Sequence, residues 1–82
     1  LYHFRTTTDE VDSVLERPDG MLVGVEVKVA SSVDSGDFAG LRVLAAHAGK
    51  KFHRGVVLYT GSRTVPFGQN LHAIPISALW RL

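Results

Sequence analysis

Residues 22–29 read Leu-Val-Gly-Val-Glu-Val-Lys-Val, with valine at every second position. Successive side chains of a strand point to opposite faces. A period of two therefore predicts a strand with Val23, Val25, Val27 and Val29 on one face. Leu22, Gly24, Glu26, Lys28 and Ala30 occupy the other. The valine face is the expected core, and Glu26 and Lys28 point together to the opposite side. Just upstream, Arg17-Pro18-Asp19-Gly20 is a turn signal, because proline presets φ and glycine tolerates a positive one.

Residues 11–16, Val-Asp-Ser-Val-Leu-Glu, read as the partner strand of a hairpin. A one-residue slip inverts every side chain. Only one parity brings Val11 and Leu15 over the valine face, and that parity places Asp12 on the face of Glu26 and Lys28. The favoured register sets Asp12 opposite Glu26, Leu15 opposite Val23 and Val11 opposite Val27. Directly opposed Cβ atoms lie roughly 5 Å apart, so the two carboxylates can share one divalent cation. Lys28 is expected to offset their mutual repulsion. An all-oxygen site of this kind suits Mg²⁺ or Mn²⁺, which activates water and stabilises charge on a phosphoryl oxygen.

The rest of the chain supplies the surroundings. Residues 2–7 read as a first strand. Asp34 is a helix N-cap with Asp37 at the capping-box position. Phe38, Leu41, Leu44, Ala45 and Ala48 follow at helical spacing, and Gly49 closes the helix. Residues 55–60 are a nearly continuous apolar run, expected as a strand buried on both faces. Residues 63–70 read as a loop and 71–76 as a short strand, with Pro75 at a sheet edge or strand end. Ser77 opens a final turn carrying Leu79 and Trp80. The expected architecture is α/β, a mixed sheet in the order β-β-β-α-β-β. It has a crossover helix and a short C-terminal helical turn.

Asp12 followed by Glu26-Val27-Lys28 resembles the PD-(D/E)xK nuclease superfamily, the restriction-endonuclease-like fold. The stretches Glu10–Glu16, Gly24–Lys28, Asp37–Leu41 and Arg54–Gly61 resemble more closely a C-terminal domain of unknown function that follows an AAA-type ATPase module in bacterial and archaeal proteins. The resemblance runs over about residues 2–80. It implies a restriction-endonuclease-like core, Asp12, Glu26 and the backbone carbonyl of Val27 as metal ligands, and Lys28 as the catalytic lysine. The superfamily's first motif often begins with proline, where this chain has Val11. An N-terminal helix common in the superfamily is missing here. The chain starts at Leu1 and reads as one domain over 1–82, a fragment of a longer ATPase-containing protein. ATP belongs only to that upstream module, since no phosphate-binding glycine loop is present here.

Glu10 shares the face of Asp12; it is either a supporting partner of the site or a cross-strand ion pair with Lys28. Arg42, on the polar side of the helix, is a second candidate for supporting the site. Lys50, Lys51, His53 and Arg54 form the one basic cluster, either a phosphate contact or a solvated helix end. The four histidines show no paired ligand spacing. Ser31 and Ser32 read as loop and cap residues, and Tyr59, Phe67 and Trp80 as packing residues. The chain has 82 residues, 45% of them hydrophobic, no cysteine, and a net charge of +1. That excludes thiolate metal sites and disulfides, and any basic footprint must be local. No apolar run reaches bilayer-spanning length, and a cytoplasmic location without membrane contact is expected. Three readings compete: metal-dependent hydrolysis of DNA or RNA, a non-catalytic interaction or nucleic-acid-docking module of the ATPase, and a bare structural domain whose polar face is solvated.

Overall fold

The Pro-Asp-Gly turn forms as its residues dictate. Gly20 takes φ 87°, its N–H donates to the Arg17 carbonyl at 2.9 Å, and the Arg17 N–H donates to Met21 at 2.8 Å. A computed structural model describes residues 3–6 and 11–81, with side chains for 11–78. The turn joins β2 (Ser13–Glu16) to β3 (Leu22–Lys28) as an antiparallel pair, with Leu15 opposite Val23 and Val14 opposite Gly24. This is the register expected from parity. On the outer side β1 (His3–Thr6) pairs antiparallel with β2.

From β3 the chain passes through a 3-10 turn, Ser35–Phe38, into α1 (Ala39–Ala48). It returns as β4 (Phe52–Tyr59), parallel to β3. The helix is thus the crossover that a parallel pair requires. Next come β5 (Val65–Gly68) and β6 (Leu71–Pro75), then a 3-10 helix at Ile76–Arg81. β6 lies parallel to β4 and antiparallel to β5, giving a mixed sheet in the order β1-β2-β3-β4-β6-β5. Among the described residues no helix is long and apolar enough to cross a membrane.

Three expectations fail here. Residues 63–70 are not simply a loop, because they contain β5, and the order becomes β-β-β-α-β-β-β. Pro66, Gly68 and Asn70 disguise the strand. Proline is tolerated because β5 is the outermost strand, where one row of N–H groups needs no partner. Gly68 and Asn70 adopt φ 146° and 63° to turn tightly into β6. Pro75 ends β6, at a strand end as expected.

The second correction concerns the faces. The helix does not cover the valines. It covers Gly24 and its neighbour on β4, Gly55. A Cβ on Gly24 would sit 2.6 Å from Leu41 Cδ2 and 2.7 Å from Leu44 Cδ2. The paired glycines open a trough in the sheet, and the helix settles where the backbone can be approached most closely. The buried cluster of Val11, Val14, Phe38, Leu41, Val57, Tyr59, Leu71 and Ala73 forms on this side. On the opposite face Val23 and Val56 are buried, but Val27 is 51% exposed and Val29, beyond the strand, 86%. Val11 is corrected too. It lies within 3.5 Å of the Cβ position of Gly24, under the helix, rather than over Val27.

Candidate functional site

The displacement of Val11 follows from what Asp12 does. Asp12 stands in a bend just before β2, and its Oδ2 accepts the Val27 N–H at 2.9 Å. Glu26 Oε1 accepts the Asp12 N–H at 2.6 Å. Each acid thus binds backbone of the opposite strand, and two side-chain bonds replace the ladder where the hairpin frays. Within a strand, the N–H and C=O of one residue face the same neighbouring strand. The Val27 carbonyl is therefore also turned toward Asp12. The Val27 side chain is exposed and plays no part.

Asp12 is exposed and Glu26 half-buried. Burial pushes the Glu26 carboxyl above its ordinary value; the Asp12 N–H opposes this, while the Asp12 charge and a side-chain hydrogen bond to Asp12 push it further up. Two carboxylates so placed favour a shared proton or a shared cation. The oxygens not engaged with backbone, and the Val27 carbonyl, are all hard donors of the kind that could hold a divalent ion. Among the described residues no group of three or more acids, histidines or cysteines comes together. A cation here would keep several waters, as Mg²⁺ commonly does.

Lys28 departs from expectation. It does not offset the two carboxylates. Its Nζ donates to Asp37 Oδ2 at 2.7 Å. The same oxygen accepts the Asp34 N–H at 2.8 Å, the expected capping contact. Lys28, through its hydrogen bond first, then the Asp34 N–H, holds the Asp37 carboxyl below its usual range. Asp37 was legible as a cap and not as a partner of Lys28. The contact arises because the helix crosses the Gly24 face and brings its first turn over the end of β3. The helix's placement was the missing signal.

The other candidates separate from this group. Glu10 lies outside the described residues. Arg42 is exposed and donates to the Ser35 carbonyl at 2.8 Å, tying the helix to its preceding turn. Lys50, Lys51, His53 and Arg54 gather where β4 begins, at the opposite end of that strand from Tyr59, the residue beside Lys28. His53 is held there by the Arg17 guanidinium at 3.1 Å. The cluster lies away from the carboxylates, at the other end of the sheet.

Fold and site together define a mixed α/β domain with paired carboxylates at a frayed hairpin and a lysine–aspartate ion pair beside them. The chain belongs to the family described as Domain of unknown function (DUF4143), which matches over residues 1–79. No curated protein and no solved structure gives a significant match.

Proposed function

We propose that the domain has a restriction-endonuclease-like core and hydrolyses phosphodiester bonds of DNA or RNA with Mg²⁺ or Mn²⁺, as part of a protein that also carries an AAA-type ATPase module. The observation that carries this reading is the crossed pair Asp12–Glu26, with the Val27 carbonyl beside it and Lys28 two residues along the same strand face.

Asp12, Glu26 and the Val27 carbonyl would hold the ion. When bound, it supplies a Lewis acid and a water acidified toward neutrality. Lys28 contributes a positive charge for the scissile phosphate. Two strand residues span roughly 7 Å, so a lysine that leaves Asp37 reaches a phosphate seated beside Glu26. Asp37 is a positioning residue, keeping Lys28 extended along the sheet until a phosphate competes for it.

The test is incubation of the full chain with end-labelled DNA and RNA in Mn²⁺ or Mg²⁺, alongside calorimetric Mn²⁺ titration. Glu26→Gln and Asp12→Asn should abolish both cleavage and Mn²⁺ binding; Lys28→Ala should abolish cleavage alone. Cleavage that persists unchanged in all three variants refutes the assignment. The engagement of Lys28 by Asp37 favours a second reading, a non-catalytic docking module of the ATPase. Nucleic-acid binding without cleavage in either metal would select it.

A further inference from the structure

β3 and β4 run parallel, and their ladder continues past the strands through a bond from the Thr60 N–H to the Ala30 carbonyl at 3.0 Å. Just beyond this point lies an open cleft of about 290 Å³. Sites outside the carboxyl ends of parallel strands are common ligand positions in open α/β sheets. The volume is near the lower end of the roughly 300–1,000 Å³ of small-molecule pockets, enough for one small group.

The cleft's chemistry is divided. Ser31, Ser32, Ser62 and Arg63 supply three hydroxyls and a guanidinium, and Tyr59 and Phe67 contribute to its apolar wall. Among the described residues Arg63 has no carboxylate partner. Its loop is braced all the same. The Tyr59 hydroxyl donates to the Arg63 carbonyl at 2.5 Å. The chain at Gly61 passes so close to the Tyr59 ring that any Cβ there would overlap it. Phe67 is backed by Phe38, the ring centroids 4.7 Å apart. An unpaired guanidinium on a braced loop, lining one cleft with hydroxyls that also donate, is an arrangement for an anion with several acceptor oxygens. Tyr59 pairs with Lys28 across the two strands, so one residue of the cleft wall is the lysine's strand neighbour.

We infer that this cleft binds a phosphate ester, with Arg63 as the charge partner and Ser31, Ser32 and Ser62 as donors. The identity of the ester as part of a nucleic-acid strand rests on the function proposed above. The phosphate site itself does not.

The test measures binding without metal, in EDTA, by fluorescence anisotropy of a labelled single-stranded oligonucleotide, with a 5′-mononucleotide as competitor. Ser31, Ser32 and Arg63 are exposed, so Arg63→Gln and the double variant Ser31→Ala/Ser32→Ala should retain the wild-type fold, checked by circular dichroism. Arg63→Gln should weaken the oligonucleotide about tenfold, the scale of one charge-assisted hydrogen bond. It should also lower the slope of log affinity against log salt by about one, and Arg63→Lys should restore that slope. If the mononucleotide binding is lost in Arg63→Gln while the oligonucleotide is unaffected, the site holds a small phosphate ester and not the strand. Folded Arg63→Gln and double-serine variants that bind both probes as the wild type does would overturn the inference. Glu26→Gln separates the two proposals: it should lose Mn²⁺ binding and keep binding in EDTA.

Discussion

Gly24→Ala tests where the helix lies, on which the site's electrostatics depend. The new methyl would stand 2.6 Å from Leu41 Cδ2 and 2.7 Å from Leu44 Cδ2. Ordinary carbon contacts lie at about 3.5–4.0 Å, so each leucine must withdraw by roughly 1 Å. Leu44 is half-buried and can turn aside; Leu41 is fully buried and cannot without moving the helix. Overpacking of this kind costs about 1–3 kcal/mol. The lost flexibility of the unfolded chain returns about 0.4–1 kcal/mol. A net destabilisation of about 1–2 kcal/mol follows, or a fall in Tm of roughly 5–15 °C for a domain of this size. Urea and thermal unfolding followed by circular dichroism measure it. Adding Leu44→Ala should restore part of the loss, since it removes one of the two opposing methyls. Val27→Ala, at an exposed position of the opposite face, should change stability by less than about 0.5 kcal/mol, as exposed substitutions do. A Gly24→Ala protein as stable as the wild type, together with a severely destabilised Val27→Ala, would mean that the helix covers the valines.

Three further outcomes are expected. Because the Glu26 carboxyl is raised, its contribution to stability is complete below the ordinary glutamate value and is lost as pH rises through the raised one. Denaturation from pH 4 to 7 should show this loss in the wild type and not in Glu26→Gln, and Mn²⁺ should reverse it. Asp37 behaves oppositely: its lowered carboxyl stabilises the fold above the ordinary aspartate value, and that contribution fades as pH falls through the lowered one. Asp37→Asn should therefore be less stable than the wild type near neutrality, with the two acid-unfolding curves converging at low pH. Phe38→Ala removes a fully buried ring and should cost about 3–5 kcal/mol, measured as loss of the cooperative urea transition or a large fall in its midpoint.

The parts of the fold that depend on periodicity were legible in the sequence. Alternation in 22–29 and the Pro-Asp-Gly turn define the hairpin and its register, since a slip by one would take Leu15 off the face of Val23 and Asp12 off the face of Glu26. The helical spacing of Phe38, Leu41 and Leu44 sends the chain across to a parallel strand. β5 was hidden because Pro66 and Gly68 read as loop residues, and only its edge position makes them acceptable. Periodicity also cannot say which of two faces receives a helix. Valines promise more buried apolar area, whereas glycines permit closer approach. Here approach prevails, because Gly24 and Gly55 become neighbours only after β3 and β4 pair, a long-range event with no local trace in the sequence.

That outcome also shapes the candidate site. With the helix over the valines, Glu26 and Lys28 would lie on a solvated face, and a surface ion pair there would contribute little. With the helix over the glycines, Glu26 is partly desolvated beside Asp12, and the helix's first turn delivers Asp37 to Lys28. The two acids are thereby left without the lysine that was expected to offset them. The same packing choice that contradicts the expected core therefore leaves the raised Glu26 carboxyl beside Asp12 with Lys28 engaged elsewhere. Under the proposed nuclease reading, release of Lys28 from its ion pair with Asp37 would separate cutting from mere docking.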